Sequence, residues 1–234
     1  ADESVKLDFL MRDNLGNRLI SKSTIFYGNS FISEHSFLFY ESITLDNNIE
    51  LLWAGGLRPT EQVEAEDIQY GSGIIRQGGE IEDLQINSKD LTTDRFVYNG
   101  ETEWAAVRTK YFMAALMPSV PSSFATLAAE NIIFGDRKQT PLYYTSLGFS
   151  SRGSSMQDVS SRVYLGPLDV DYLNQTGVNL DAAMNWGWAI IRPISKGILW
   201  TLKFMHHTLK LNYGLSLLLF ALLIRLITGP LTKK

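Results

Sequence analysis

One arginine in this chain of 234 residues stands where a charge is costly. Arg225 interrupts the run Leu215-Ser-Leu-Leu-Leu-Phe-Ala-Leu-Leu-Ile-Arg-Leu-Ile-Thr-Gly-Pro230. As a helix, Tyr213 to Leu231 would span about 28 Å, close to the thickness of a bilayer core. A guanidinium inside it costs roughly 2.5–3.5 kcal/mol on insertion scales. Such a group either snorkels to the nearer interface or faces a polar cavity or a partner. The second alternative makes Arg225 a candidate functional residue.

Other constellations carry less chemistry. The histidines are His35, His206 and His207. The adjacent pair would point about 100° apart on a helix, so no metal site is expected there. Glu61, Glu64, Glu66 and Asp67 hold carboxylates of the kind that hydrolyse glycosides when suitably spaced. Clustered like charges ordinarily face water, however, and a solvated acidic loop is the expectation. Gly71-Ser-Gly73 and Gly78-Gly79 lack the strand–helix context of a phosphate loop and read as hairpin turns. Asn174-Gln-Thr176 fits a glycosylation acceptor, a frequent chance match. Trp104, Tyr111 and Phe112 read as core rather than as a ligand-stacking platform. The absence of cysteine excludes disulfides, thiolate metal sites and cysteine catalysis. No catalytic residue, metal or cofactor is expected, and the chain reads as a non-enzyme.

The elements that must position Arg225 fall into two styles. Residues 4–100 read as successive strands: Val5–Leu10, Leu19–Tyr27, Ser36–Leu45, Ile49–Leu52, Gly73–Gln77, Gly79–Ile86 and Asp94–Tyr98. Trp104–Leu116, rich in alanine and free of glycine and proline, predicts a helix or helical turn. Ala125–Phe134 and Thr140–Phe149 resume the strands. The serine-rich Gly148–Ser161 reads as an exposed loop with no nucleophile elbow. A last strand, Val159–Leu165, and a short helix within Leu168–Thr176 follow. Short strands with polar turns imply an antiparallel sandwich.

From Arg192 to Leu211 the period changes to that of an amphipathic helix. Ile194, Ile198, Leu202, Met205 and Leu209 form an apolar stripe. Lys196, Lys203 and Lys210 recur every seven residues on the opposite side, and Trp200 and Phe204 flank the stripe. Lysines on one face and aromatics on the other suit a helix lying in a membrane interface, making Lys196, Trp200, Lys203, Phe204 and Lys210 candidate interfacial residues. Asn212-Tyr213-Gly214 predicts the break before the final apolar helix. The net charge of −4 carries no nucleic-acid signature. No acidic residue follows Asp181, which suits a tail near anionic lipid. The chain opens Ala1-Asp-Glu-Ser4 without a leader pattern, so a targeting segment is expected to precede it.

Several stretches together resemble the YidC family of membrane protein insertases, in its bacterial form with a large periplasmic domain. They are Trp104-Ala-Ala-Val-Arg-Thr-Lys-Tyr-Phe-Met-Ala-Ala-Leu-Met-Pro118, Val163-Tyr-Leu-Gly-Pro167, Gly187-Trp188 with Pro193, Trp200, Lys203 and His206, and Leu223-Ile-Arg-Leu-Ile-Thr-Gly-Pro-Leu-Thr232. Leu51-Leu-Trp-Ala-Gly-Gly-Leu-Arg-Pro59 is similar to a strand and turn of that domain. The resemblance implies a mainly β fold, a galactose-mutarotase-like β-supersandwich over residues 1–180 in the periplasm. An amphipathic interfacial helix would lie within 181–212, and a transmembrane helix would begin the insertase core at 213–234. It implies that Arg225 faces a hydrophilic groove and contacts the substrate there, where a buried cation lowers the cost of bringing a carboxylate into low dielectric. It also implies an inner-membrane, multi-pass protein whose partners are nascent membrane proteins, the Sec translocase, the phospholipid bilayer and, through cytoplasmic parts, the ribosome. Nucleic acid is not among them. A different class of reading, a membrane-anchored carbohydrate-binding or aldose-epimerase-like domain, would need a His/Glu pair, and His35 is the histidine available in residues 1–180.

Overall fold

The computed structural model describes residues 3–40, 48–58, 60, 68–86, 94–132, 140–150, 158–184 and 192–232. It divides into two compact units, Ala1–Ala183 and Met184–Lys234.

The first unit is built from eleven antiparallel strands among the described residues. They are β1 (Ser4–Arg12), β2 (Arg18–Tyr27), β3 (Ile32–Phe39), β4 (Ile49–Trp53), β5 (Ser72–Gln77), β6 (Glu80–Leu84), β7 (Asp94–Arg108), β8 (Phe112–Pro118), β9 (Ser122–Ile132), β10 (Thr140–Phe149) and β11 (Asp158–Pro167). The mainly β fold expected from the strand-like periodicity is the one adopted.

The long strand β7 organises the layers. Its first half pairs with β9, from Asp94↔Ala129 to Asn99↔Phe124. Its second half pairs with β8, from Ala105↔Leu116 to Arg108↔Met113. Thus β8 and β9 run in succession along one edge of β7, while β5 takes the other edge, Ile74 opposite Ala106. Beyond this shared hairpin the partners diverge: β8 continues to β11, β3, β2 and β1, and β9 continues to β10 and β4. Two sheets therefore spring from one hairpin. The changeover lies at a register shift between Asn99 and Thr102, where Gly100 has φ +130°. A residue with a Cβ rarely adopts that angle, and bulges of this kind turn a strand from one sheet into another.

The inner faces of the two sheets make the core. Ile75, Val107, Leu116 and Val159 from one meet Leu127, Leu147 and Phe149 from the other. The approach is close enough that a Cβ on Gly73 of β5 would lie 3.4 Å from Leu127 Cδ2 of β9. Burying each large side chain contributes roughly 1.5–3 kcal/mol.

Strand alternation sends Trp104, Ala106 and Arg108 to the opposite face of the first sheet. That face is covered by the chain's own continuation, α1 (Val170–Asn174) and a 3-10 turn (Leu180–Ala183), with Leu173 and Leu180 fully buried. Asp169 caps α1 by accepting from the Asp171 amide.

Two sequence expectations fail here. Trp104–Leu116 is not a helix but the β7–β8 hairpin, turned at Thr109–Phe112 by a 2.8 Å bond from the Thr109 amide to the Phe112 carbonyl. Alanine favours a helix weakly; here Ala105, Ala106, Ala114 and Ala115 sit in the middle of a sheet where small side chains let both layers close. Tyr111 and Phe112 are accordingly exposed at the hairpin tip rather than in the core. Gly71-Ser-Gly73 is no turn either, since Ser72 and Gly73 are buried within β5. Gly78-Gly79 is the turn between β5 and β6, with φ +57° and +85°, the positive pair that a two-residue hairpin needs. The acidic cluster at 61–67, Trp186, Trp188 and the middle of the serine-rich loop, 151–157, lie outside the described residues.

The second unit holds α2 (Arg192–His207) and α3 (Tyr213–Thr232). The break between them falls at Thr208–Asn212, so Tyr213 and Gly214 belong to α3 rather than to the turn. The final helix forms where it was expected; no helix among the described residues is long and apolar enough to cross a membrane.

Candidate functional site

Three side chains of the first sheet grip the end of the β unit. Trp104 Nε1 donates to the Val178 carbonyl at 3.0 Å, and Arg76 Nη1 reaches the same oxygen at 3.4 Å. Arg108 donates from Nη1 to the Ala183 carbonyl at 2.8 Å and from Nε to Ser72 Oγ at 3.0 Å. Burial lowers the Arg108 pKa and the charge of Asp83 opposes the shift; a guanidinium stays charged regardless. Arg76 is also paired with Glu103 at 3.5 Å. At the far end of the same face the buried Tyr164 hydroxyl donates 2.6 Å to the Pro167 carbonyl. Burial first, then the charge of Asp169, pushes that phenol up to about 12, so it stays a donor. The carbonyls of the departing chain are thus held by donors rather than water, and residues 178–183 leave the β unit from a fixed place.

In the second unit α2 carries the candidate interfacial residues. At 100° per residue Ile194, Ile198, Leu202 and Met205 fall within one arc, and Lys196 and Lys203 lie opposite. Ile194, Ile198, Trp200 and Phe204 are exposed, so the apolar stripe is open. Trp200 stacks on Phe204 with centroids 5.6 Å apart and planes 17° apart, between the apolar arc and the lysines. That order, apolar, aromatic, cationic, follows the polarity gradient of a bilayer surface. Lys210 is not on this helix. It occupies the turn in the left-handed region, φ +52°.

The turn is tied on both sides. His206 Nδ1 meets the Leu211 carbonyl at 2.8 Å, and its ring stacks on Tyr213 at 4.0 Å. Nδ1 therefore carries the proton. Asn212 caps α3, its Oδ1 accepting from the Leu215 amide at 2.8 Å. His206 thus ties the turn to α3; among the described residues no group of His, Cys, Asp and Glu is placed to hold a metal.

Along α3, the side that carries Arg225 is mixed. Gly214, Ala221, Thr228 and Gly229 share it at the spacings of helical neighbours, and so do Leu218 and Leu222. Leu215, Leu219, Leu223 and Leu226 occupy other sides.

The histidine that an enzymatic reading would use is held by hydroxyls. His35 in β3 has both ring nitrogens beside hydroxyls, Thr24 Oγ1 at 3.2 Å and Ser33 Oγ at 2.8 Å. Glu34, next in the strand, points to the opposite face. Burial first, then Lys22, lowers the His35 pKa.

Sequence reasoning named Arg225 and the interfacial candidates but passed over Arg76 and Arg108. No local signal marked them, since Trp104-Ala-Ala-Val-Arg108 has no alternation of polar and apolar residues and its alanines suit a helix.

The protein-family profile for the YidC periplasmic domain matches residues 32–201. The membrane protein insertase YidC of Prosthecochloris aestuarii is 35% identical over 190 residues, covering 80% of this chain and 32% of that protein. That of Chlorobium phaeovibrioides is 33% identical over 199 residues, covering 82% and 33%. That of Chloroherpeton thalassium is 28% identical over 237 residues, covering 99% and 40%. The chain spans about a third of the length of the first two.

Proposed function

Because this chain belongs to the YidC family of membrane protein insertases, we propose that it is the periplasmic domain and membrane entry of a protein that inserts and folds inner-membrane proteins, alone or with the Sec translocase. Residues 1–180 stand in the periplasm, 181–212 lie along the bilayer surface, and 213–234 begin a multi-pass core. No covalent chemistry and no cofactor are involved.

The observation that carries this reading is the charge of Arg225 within the otherwise leucine-rich, apolar helix α3. Water-filled, protein-lined space at membrane depth is where an intramembrane cation is tolerated. There the guanidinium lowers the cost of bringing a carboxylate of a nascent chain into low dielectric. The apolar part of the client then leaves sideways into lipid, driven by its own burial. Lys196, Trp200, Lys203, Phe204 and Lys210 hold the preceding segment at the headgroups, so that α3 enters at a defined depth. The ribosome would be met by cytoplasmic parts of the whole protein, and nucleic acid is not a partner.

The test is depletion of the full-length protein while insertion of a small single-span or double-span client is followed by protease accessibility. Wild type and Arg225→Lys restore insertion, and Arg225→Ala does not restore it for clients with acidic translocated tails. Equal rescue by Arg225→Ala would remove the arginine from the mechanism.

A further inference from the structure

The sequence holds one Asn-Gly pair, Asn99-Gly100. It sits where β7 leaves β9 for β8, the point from which both sheets spring. Asn99 is the last residue of the first ladder, opposite Phe124, and the register resumes with Thr102 opposite Ser122. Gly100 and Glu101 thus stand against Ser123 alone, two residues to one, with no partner in the register. On the other edge of β7, β5 reaches Thr102 with Gln77 and ends there. Neither neighbouring strand therefore pairs with Gly100. Asn99 and Gly100 are both exposed. The three atoms nearest to where a Cβ on Gly100 would stand all belong to the Gln77 side chain, its Nε2 at 3.0 Å. They are the flexible end of an amide rather than packed backbone.

This placement permits a covalent change. Asparagine is among the thermolabile side chains, and its Cγ is one ring closure away from the next backbone nitrogen. Once deprotonated, the Gly100 nitrogen adds to Asn99 Cγ. The new N–Cγ bond forms as Cγ–Nδ2 breaks, and ammonia leaves with a proton from water. Water then opens the cyclic imide. Opening at Cγ gives aspartate. Opening at the Asn99 main-chain carbonyl gives isoaspartate, whose backbone runs through the former side chain and is one methylene longer. Nothing is oxidised or reduced, and water is the only co-reactant. Ring closure needs the Gly100 peptide to turn about the Asn99 Cα–C bond. In a continuous ladder that turn breaks paired hydrogen bonds; at a bulge filled by glycine it is open, and no Cβ shields the nitrogen.

We propose that Asn99 is a deamidation site and that its isoaspartyl product loosens the junction of the two sheets. The added methylene falls between two fixed pairs. On one side Asn99 faces Phe124, whose ring lies against Gly148. On the other, Thr102 and Ser122 are fully buried. The lengthened backbone can satisfy one pair only by displacing the other, and the new carboxylate adds charge beside Glu101.

The test uses the full-length protein in detergent micelles, aged in mildly alkaline water of heavy oxygen and digested in ordinary water. Heavy oxygen marks conversion during ageing and not during digestion. Trypsin cuts after Arg95 and Arg108, so residues 96–108 leave as one peptide. From the folded protein this peptide gives two new labelled species, one cut by an aspartate-specific protease and one resistant, the isoaspartyl form. Asn99→Gln, whose longer side chain closes the ring far more slowly, leaves the peptide unlabelled. When the aged protein is pulsed with protease in rising urea, the isoaspartyl peptide disappears from the surviving fraction at a lower urea concentration than the asparaginyl peptide. The proposal is overturned if the folded protein keeps its asparagine while the unfolded protein converts, if Asn99→Gln is labelled as fast as wild type, or if both peptides survive to the same urea concentration.

Discussion

Arg108 Nη1 lies 2.8 Å from the carbonyl oxygen of Ala183, a residue 75 positions later and the last of the β unit. One side chain of the central strand thus holds the last carbonyl of the β unit. Replacement by methionine keeps the packing volume but leaves the Ala183 carbonyl and Ser72 hydroxyl without their donor. The expected loss is about 1–3 kcal/mol in urea unfolding of the β unit. Arg108→Lys should recover part of it; an unchanged midpoint for Arg108→Met would show that water replaces the guanidinium at no cost.

Trp104 is fully buried and shares the same task through Val178. Trp104→Phe removes the donor and little volume, and about 1–2 kcal/mol should be lost. Trp104→Ala adds a cavity and should cost about 3–5 kcal/mol. Thermal unfolding of the two variants separates the hydrogen bond from the packing.

Gly148 lies under the ring of Phe124, which a Cβ there would overlap. Gly148→Ala is expected to destabilise the β9–β10 pair, and Phe124→Leu to relieve that loss. A double-mutant cycle should therefore give a favourable coupling, and simple additivity of the two changes would contradict the contact.

His35 has a pKa lowered from 6.5 by burial and by Lys22. The unfolded chain then binds the proton more readily than the folded one. Stability from this group is intact above pH 6.5 and falls as pH drops from there toward the lowered folded value. Denaturant midpoints at intervals from neutral to mildly acidic pH should fall for the wild type and less for His35→Gln. Parallel curves would assign the acid sensitivity elsewhere.

The stacked pair Trp200–Phe204 and the lysines beside it predict two separable contributions to bilayer binding. In flotation of the full-length protein's α2 region as a peptide with vesicles, Lys196→Glu with Lys203→Glu should abolish the preference for anionic lipid, at about 1 kcal/mol per lysine. Trp200→Ala with Phe204→Ala should weaken binding to neutral and anionic vesicles alike. Equal effects of both pairs on both lipids would remove the gradient from the argument.

The periodicity of the chain alone determined most strands, the short helix after β11, the amphipathic α2 and the apolar α3, because each side-chain pattern has one secondary structure that buries it. It also singled out Arg225, since a charge within a leucine run is costly wherever the run lies. Trp104–Leu116 was illegible: its alanines suit a helix, and only the layers on either side make a strand of it. Whether Ser72 and Gly73 turn or stay in β5 was likewise decided by pairing with β7, where they face Arg108 and Val107. The grip of Arg76 and Arg108 on residues 178–183 belongs wholly to the tertiary structure. Hydrogen bonds over such separations carry no local signature, and a buried arginine has value only once the fold delivers the carbonyl it must satisfy.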